Sequence, residues 1–222
     1  MIELRRGDRP LLIGHRGAAA LAPPNSLESL RVAAAAGVDG VEVDILRRPD
    51  GGLVLAHGPE IPPDAPRLDE ALAVVAGLGV FVQLDVKLTG AAAEIGRAVQ
   101  AASLEERAFA ISFSMQALAE LRQAAPWLPR SYTYPERPAS ALLAPLLPRR
   151  LPAWLEELGA AATTLKSAVV TRRVVEACRR RGIAVHAWTV NDPRTARELV
   201  EKGVDAIITD DPRSVPGGIT DT

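Results

Sequence analysis

The stretch Gly37-Val38-Asp39-Gly40-Val41-Glu42-Val43-Asp44 (GVDGVEVD) returns in outline near the far end of the chain as Gly203-Val204-Asp205-Ala206-Ile207-Ile208-Thr209-Asp210 (GVDAIITD). In both, a glycine that stops a helix leads through a tight link into a β-branched run that ends in an acid. Repetition of this kind suits one strand–helix unit used many times. Working outward, strand-like runs occupy residues 11–15, 40–46, 81–87, 108–113, 131–134, 162–166, 183–189 and 206–209, with 53–57 as an extra strand or extended loop. Helix-like stretches alternate with them, which predicts a parallel sheet with helical crossovers. About eight such units in one chain predict a closed (β/α)8 or TIM barrel of the α/β class. No linker divides the chain, so a single domain over residues 1–222 is expected. The proline-rich part, residues 135–152, is the least regular and receives no element.

The helices carry end signals. Asn25, with Glu28 following at the capping-box spacing, opens a helix bearing Leu27, Leu30 and Ala34, and Gly37 stops it. Asp192-Pro193 opens another as cap and first-turn proline, with Ala196, Leu199 and Val200 facing inward and Gly203 as its stop. A stripe of Val170, Val174, Ala177 and Cys178 runs to Gly182.

Composition excludes several classes. With 48% hydrophobic and 24% charged residues and a net charge of -1, the chain lacks the basic excess of a nucleic-acid-binding protein, and small-molecule partners are expected. The longest near-apolar run, residues 71–82, is broken by glycines and falls short of the ~18 residues of a membrane span. The N-terminal MIELRRGDRP has no signal-like apolar core, so a cytoplasmic protein without stable membrane insertion is expected. Cys178 is the only cysteine, which rules out an internal disulfide and a thiolate-rich metal site. Any metal must be bound through oxygen or imidazole.

Strand parity then places polar groups where a barrel core should be apolar. Glu42 and Asp44 point one way and Val41 and Val43 the other. If the valines pack under helices, both carboxylates face the barrel axis. The same parity in FVQLDVK turns Gln83, Asp85 and Lys87 inward. Three carboxylates in one cavity repel, and burial raises the pKa of at least one of them unless a cation neutralises the cluster. A hard divalent ion, Mg²⁺ or Ca²⁺, with Glu42, Asp44 and Asp85 as oxygen ligands resolves the conflict. The competing reading is a surface acidic cluster, or salt bridges to Lys87 and nearby arginines.

His15 and Arg16 end the first strand run, and His57 ends the run 53–56. Barrel enzymes place reactive groups at the C-terminal ends of strands. Two imidazoles near a metal can divide proton removal from proton delivery at neutral pH. The arginine fork suits a phosphate. His186 lies mid-strand below Trp188 and reads as a packed or hydrogen-bonded core histidine. Trp188 sits at the mouth as an apolar wall for substrate or as a core aromatic. Cys178 faces a helix-packing surface.

With those residues assembled, the sequence resembles the glycerophosphodiester phosphodiesterase family from Leu12 to Pro212. The resemblance rests on HRG at 15–17, the P-x-N-S element at 23–26, VEVD at 41–44, His57, LDVK at 84–87, SF at 112–113, WTVN at 188–191 and ITDDP at 208–212. It implies a (β/α) barrel that hydrolyses glycerophosphodiesters to glycerol 3-phosphate and an alcohol with one divalent cation. His15 and His57 match the catalytic pair, and Glu42 and Asp44 match two metal ligands. Asp85 takes the place of a glutamate as third ligand, and Arg16 and Lys87 would hold phosphate oxygens. The sequence departs from the family pattern at Pro24, where a glutamate is usual, and at Gly58, where an aspartate is usual. It also lacks the longer insertion usual after the second strand, which implies a more open mouth. Two alternatives remain: a phospholipase D-like enzyme acting on lysolipids or sphingolipids, and a barrel that only binds a phosphodiester.

Overall fold

The computed structural model describes residues 9–134 and 146–215. The strands are β1 (Leu11–Gly14), β2 (Gly40–Arg47), β3 (Leu53–Leu55), β4 (Phe81–Val86), β5 (Ala108–Ser112), β6 (Arg130–Tyr134), β7 (Ala162–Lys166), β8 (Ala184–Trp188) and β9 (Ala206–Thr209). Between them run α1 (Leu27–Ala35), α2 (Leu68–Leu78), α3 (Ala92–Ala101), α4 (Met115–Ala124), α5 (Leu147–Glu157), α6 (Arg172–Arg179) and α7 (Pro193–Glu201). The ladder runs β1-β9-β8-β7-β6-β5-β4-β2, and a β1–β2 pairing closes it, giving eight parallel strands in a TIM barrel. β3 lies outside the closed ring, antiparallel to β2 with Ile45 opposite Leu55.

The repeated GVD segments have a structural reason. Asp39 donates its backbone N–H to the Leu12 carbonyl at 2.8 Å, and its carboxylate accepts the Leu12 N–H at 2.9 Å. Asp205 treats Val185 in the same way, at 2.7 Å and 2.9 Å. Each aspartate therefore pins the strand that follows it to its neighbour at the N-terminal rim, and Arg9 braces Asp39 through a two-pronged ion pair.

Alternation sorts the side chains into two cores. Val41, Val43, Val82 and Leu84 face outward and are buried beneath the helices. Inside the ring, Leu11, Ile13, Phe81, Phe109 and Ile208 form an apolar plug, with Phe81 and Phe109 ring centroids 5.8 Å apart. His186 is fully buried and packs its ring against Phe109 in a T-shaped contact at 5.5 Å, in keeping with the core role read from its position. Also inside the ring, the hydroxyls of Ser131 and Thr164 share a hydrogen bond of 2.8 Å. The interior therefore holds buried hydroxyls as well as apolar side chains.

The start of α1 differs from expectation. Ser26 is the N-cap, its hydroxyl accepting the Ser29 N–H at 3.0 Å. Asn25 instead has φ 58, and this left-handed backbone turns its side chain away from the helix and into the barrel rim. The buried face of α1 is Ser29, Leu30 and Ala33, with Leu27 and Ala34 only partly covered. Asp192 caps α7 as read from the sequence, accepting the Thr195 N–H at 2.8 Å. Residues 135–145 of the proline-rich part lie outside the described residues, whereas Leu147–Glu157 forms a helix with Pro152 inside it. Among the described residues, no helix is long and apolar enough to cross a membrane.

Cys178 lies on the buried face of α6, and burial, helped by the charge of Asp205, pushes its thiol up to about 12. An unfolded thiol releases its proton near pH ~8.5. Above that pH the unfolded state binds fewer protons than the native state, so stability falls as pH rises towards the folded value. Urea unfolding at about pH 8 and about pH 10 should therefore cost the native sequence more stability than Cys178→Ala. An equal loss in both would show that the thiol is not shielded.

Candidate active site

The exit of β1 is a backbone turn shaped by two glycines. A Cβ on Gly14 would run into the Gly17 carbonyl oxygen, and one on Gly17 would run into Ser29. Gly17 has φ 83, and Arg16 before it has φ 50. In this conformation the Arg16 N–H donates to Glu42 Oε2 at 2.9 Å, and the Ser29 hydroxyl donates to the Arg16 carbonyl at 2.9 Å. The turn carries His15 and Arg16 over the barrel mouth, as expected for the C-terminal end of a barrel strand.

Glu42 and Asp44 project inward from β2, and Asp85, paired with Asp44 in register, projects from β4. Their exposures are 3%, 1% and 4%, and one carboxylate oxygen from each lies within 4.8 Å of the others. The cluster is therefore not a surface feature. Salt bridges do accompany it: Arg16 Nε lies 3.0 Å from Asp44 Oδ2, and Lys87 Nζ lies 3.0 Å from Asp44 Oδ1 while also donating to Asp85. Asn25 closes the remaining side of Asp44. Its Nδ2 donates to Asp44 Oδ2 at 2.9 Å, and its Oδ1 accepts the Asp44 N–H at 3.0 Å.

The electrostatics reflect this crowding. Burial, then the neighbouring charge of Asp44, pushes Glu42 up to about 8. Burial likewise raises Asp85 to about 6, with Lys87 opposing the rise and Asp44 adding to it. Burial disfavours the Lys87 ammonium, but Asp85 and Asp44 outweigh it and lift Lys87 to about 12. Asp85 Oδ1 is buried with no hydrogen-bond partner. An all-carboxylate set with one buried oxygen left over fits a hard divalent cation.

The two imidazoles sit in different surroundings. His15 Nδ1 lies 2.7 Å from Asp210 Oδ1, and its Nε2 lies 3.9 Å from Glu42 Oε2. Burial opposes its charged form, but the Asp210 hydrogen bond and the Glu42 charge prevail and raise its pKa. His57 is exposed just beyond β3, where the Ala56 N–H donates to the Asp44 carbonyl at 3.1 Å. Partial burial lowers its pKa; Asp44 opposes this, and Arg16 and Lys87 add to it. Trp188 and Phe113 meet edge to face at 5.8 Å, and Lys87 Nζ stands 5.4 Å over the Phe113 ring.

One cavity of about 250 Å³ is lined by His15, Arg16, Glu42, Asp44, His57, Asp85, Lys87 and Trp188, the residues to which the sequence assigns catalysis, substrate or metal; Gln83, also turned inward by strand parity, does not line it. Three polar neighbours of the site lie outside the sequence reading: local spacing makes Asn25 a helix cap, and no role falls to Asp210 or to Asn191, whose Nδ2 donates to Asp210 Oδ2 at 2.6 Å. The repeat itself contains a signal for Asp210, since it aligns that residue with Asp44.

Reactive side chains gathered at the carboxyl ends of parallel barrel strands define a TIM-barrel enzyme. The sequence model of the Glycerophosphoryl diester phosphodiesterase family matches residues 15–74 and 78–214, and the chain belongs to that family. The glycerophosphodiester phosphodiesterase of Caldanaerobacter subterraneus is 24% identical over 93% of this chain and 96% of its own length. A crystal structure from Silicibacter pomeroyi is 27% identical, with a TM-score of 0.83 over 95% of this chain and 94% of that one. An Oleispira antarctica phosphodiesterase, solved in complex with the product sn-glycerol-3-phosphate, superimposes with a TM-score of 0.79 at 24% identity, covering 93% of this chain and 95% of that one.

The β1 turn yields a stability test. Gly37 also has positive φ, at 82, but open space surrounds it. Gly37→Ala should cost about 1–2 kcal/mol, the price of a left-handed alanine. Gly17→Ala should cost more, because the methyl group also meets Ser29. Equal urea midpoints for the two variants would show that the turn has room for a methyl group.

Proposed function

We propose that the protein hydrolyses glycerophosphodiesters to glycerol 3-phosphate and an alcohol, with one divalent cation, Mg²⁺ or Ca²⁺, held by Glu42, Asp44 and Asp85. The observation that carries this reading is the buried acid cluster, with its unpartnered Asp85 oxygen, opening into the same cavity as both imidazoles. Family membership supports the reaction class, and the product bound to the Oleispira protein supports glycerol 3-phosphate as the common product.

When bound, the cation would offset the negative charge that grows on the phosphate oxygens. The chain's own residues do the rest. Arg16 and Lys87, paired with different oxygens of Asp44 and both lining the cavity, orient the phosphate through its remaining oxygens. One imidazole removes a proton from the nucleophile, and the other protonates the leaving alkoxide. Trp188, braced against Phe113, forms an apolar wall beside them. Asn25 holds Asp44 through both its backbone and its carboxylate, which keeps that ligand oriented.

Chelator should abolish hydrolysis of glycerophosphocholine, and Mg²⁺, Ca²⁺ or Mn²⁺ should restore it. His15→Ala and His57→Ala should each lower kcat by about 10²–10⁴-fold while leaving the thermal transition in place. Near-native turnover in both variants would overturn the assignment. Preference for lysophosphatidylcholine over glycerophosphocholine would point to the lysolipid reaction instead, and ligand binding without cleavage under every metal would point to a binding barrel.

Asn25→Ala should weaken cation binding about 10- to 100-fold, as measured by calorimetry with the metal alone. Unchanged affinity would remove Asn25 from the site.

A further inference from the structure

The segments WTVN at 188–191 and ITDDP at 208–212 contribute to the resemblance, yet the reaction described above uses only Trp188 from them. Their polar members meet at the barrel rim. Asn191 Oδ1 accepts the Asp210 backbone N–H at 2.9 Å and the Thr209 hydroxyl at 3.1 Å. A backbone N–H can only donate, so the amide of Asn191 has one allowed orientation. Its Nδ2 must then face Asp210 Oδ2, and the two lie 2.6 Å apart. The other oxygen of Asp210 lies 2.7 Å from His15 Nδ1. The His15 hydrogen bond, with help from Asn191, holds the Asp210 carboxyl below its ordinary range, so it is ionised and can only accept. The main-chain N–H thus fixes the Asn191 amide, and the Asp210 carboxylate, accepting from Asn191 on one oxygen, accepts from His15 Nδ1 on the other.

We propose that Asn191 and Asp210 are positioning residues that lock His15 in the Nδ1–H tautomer, with Nε2 presented to the cavity as a proton acceptor. In water, a neutral imidazole favours the opposite tautomer, with the proton on Nε2. The lock thus reverses an intrinsic preference through hydrogen-bond direction. The backbone supports it: the His15 N–H donates to the Thr209 carbonyl at 2.7 Å, and the Val190 N–H donates to the Ile208 carbonyl at 2.9 Å, which holds the three segments in one frame. The inference rests on the reading of His15 as an acid–base group, but the tautomer can be measured without it.

The test uses ¹⁵N NMR of the full chain, at a pH where the ring is neutral, with the His15 signals identified by their loss in His15→Gln. In the native sequence, Nδ1 should carry the proton and Nε2 should show the shift of a bare ring nitrogen. Asp210→Asn leaves a single acceptor oxygen for two donors, Asn191 Nδ2 and His15 Nδ1. The tautomer should become mixed or inverted, and kcat should fall about 100-fold or more at unchanged KM.

The exchange Asn191→Asp combined with Asp210→Asn reverses the outer half of the chain. The new carboxylate at 191 accepts the backbone N–H and the amide N–H of position 210, and the amide oxygen at 210 is again free to accept from His15 Nδ1. The double variant should recover the Nδ1–H tautomer and at least about 10-fold of the lost kcat. A native His15 protonated on Nε2, or a folded double variant with the same tautomer mixture as the single variant, would overturn the proposal. An inactive native chain with the tautomer locked would sink the diesterase reading and leave the lock standing.

Discussion

Three carboxylates from two adjacent strands are buried at the mouth of the barrel, and much of the surrounding structure follows from that. Removing an ion from water costs several kcal/mol even after relaxation, so each acid needs a partner. Lys87, Arg16, Asn25 and the main-chain N–H of Arg16 supply them. Two of these four come from the β1 turn, and Asn25 comes from the segment just after it. The left-handed backbones at Arg16, Gly17 and Asn25 are what bring these donors round to the acids. Conformations of this kind cost of order 1–3 kcal/mol where the residue is not glycine, a sum the hydrogen bonds to Glu42 and Asp44 can offset.

The barrel divides its labour along its axis. At the N-terminal rim, Asp39 and Asp205 pin neighbouring strands together, and the apolar plug of Ile13, Phe81 and Phe109 fills the ring above them. Hydroxyls from Ser131 and Thr164 are buried in the same interior, and the ionisable groups gather at the C-terminal mouth, where Ile111 and Ile208 line the cavity beside them. The plug keeps the acids away from the opposite end of the barrel, and the helices cover the outward faces of the same strands. The pKa directions agree with this geometry, because the raised values of Glu42 and Asp85 are caused first by burial and then by mutual repulsion.

Much of this was legible in the sequence, because strand parity is a strict rule. A side-chain period of two requires Glu42, Asp44, Asp85 and Lys87 to share one face once Val41, Val43 and Leu84 are buried on the other. His15 and His57 were legible as strand ends, and Asp192 as a helix cap, since each depends on nearest neighbours in the chain. Asn25 was misread for the same reason. Local spacing made it a plausible cap, and only its hydrogen bonds to Asp44, a partner distant in sequence, set its backbone in the left-handed region and passed the cap to Ser26.

The amino-acid sequence alone determined the number of strands, their order of appearance and the face on which each acid lies, because these depend on short-range periodicity and on the covalent chain. The tertiary structure decided which groups meet. Barrel closure brings β1 beside β9, so that His15 finds Asp210 and, through it, Asn191. Hydrogen bonds act over about 3 Å, and no pattern along the chain records a distance that exists only after the first strand has paired with the last.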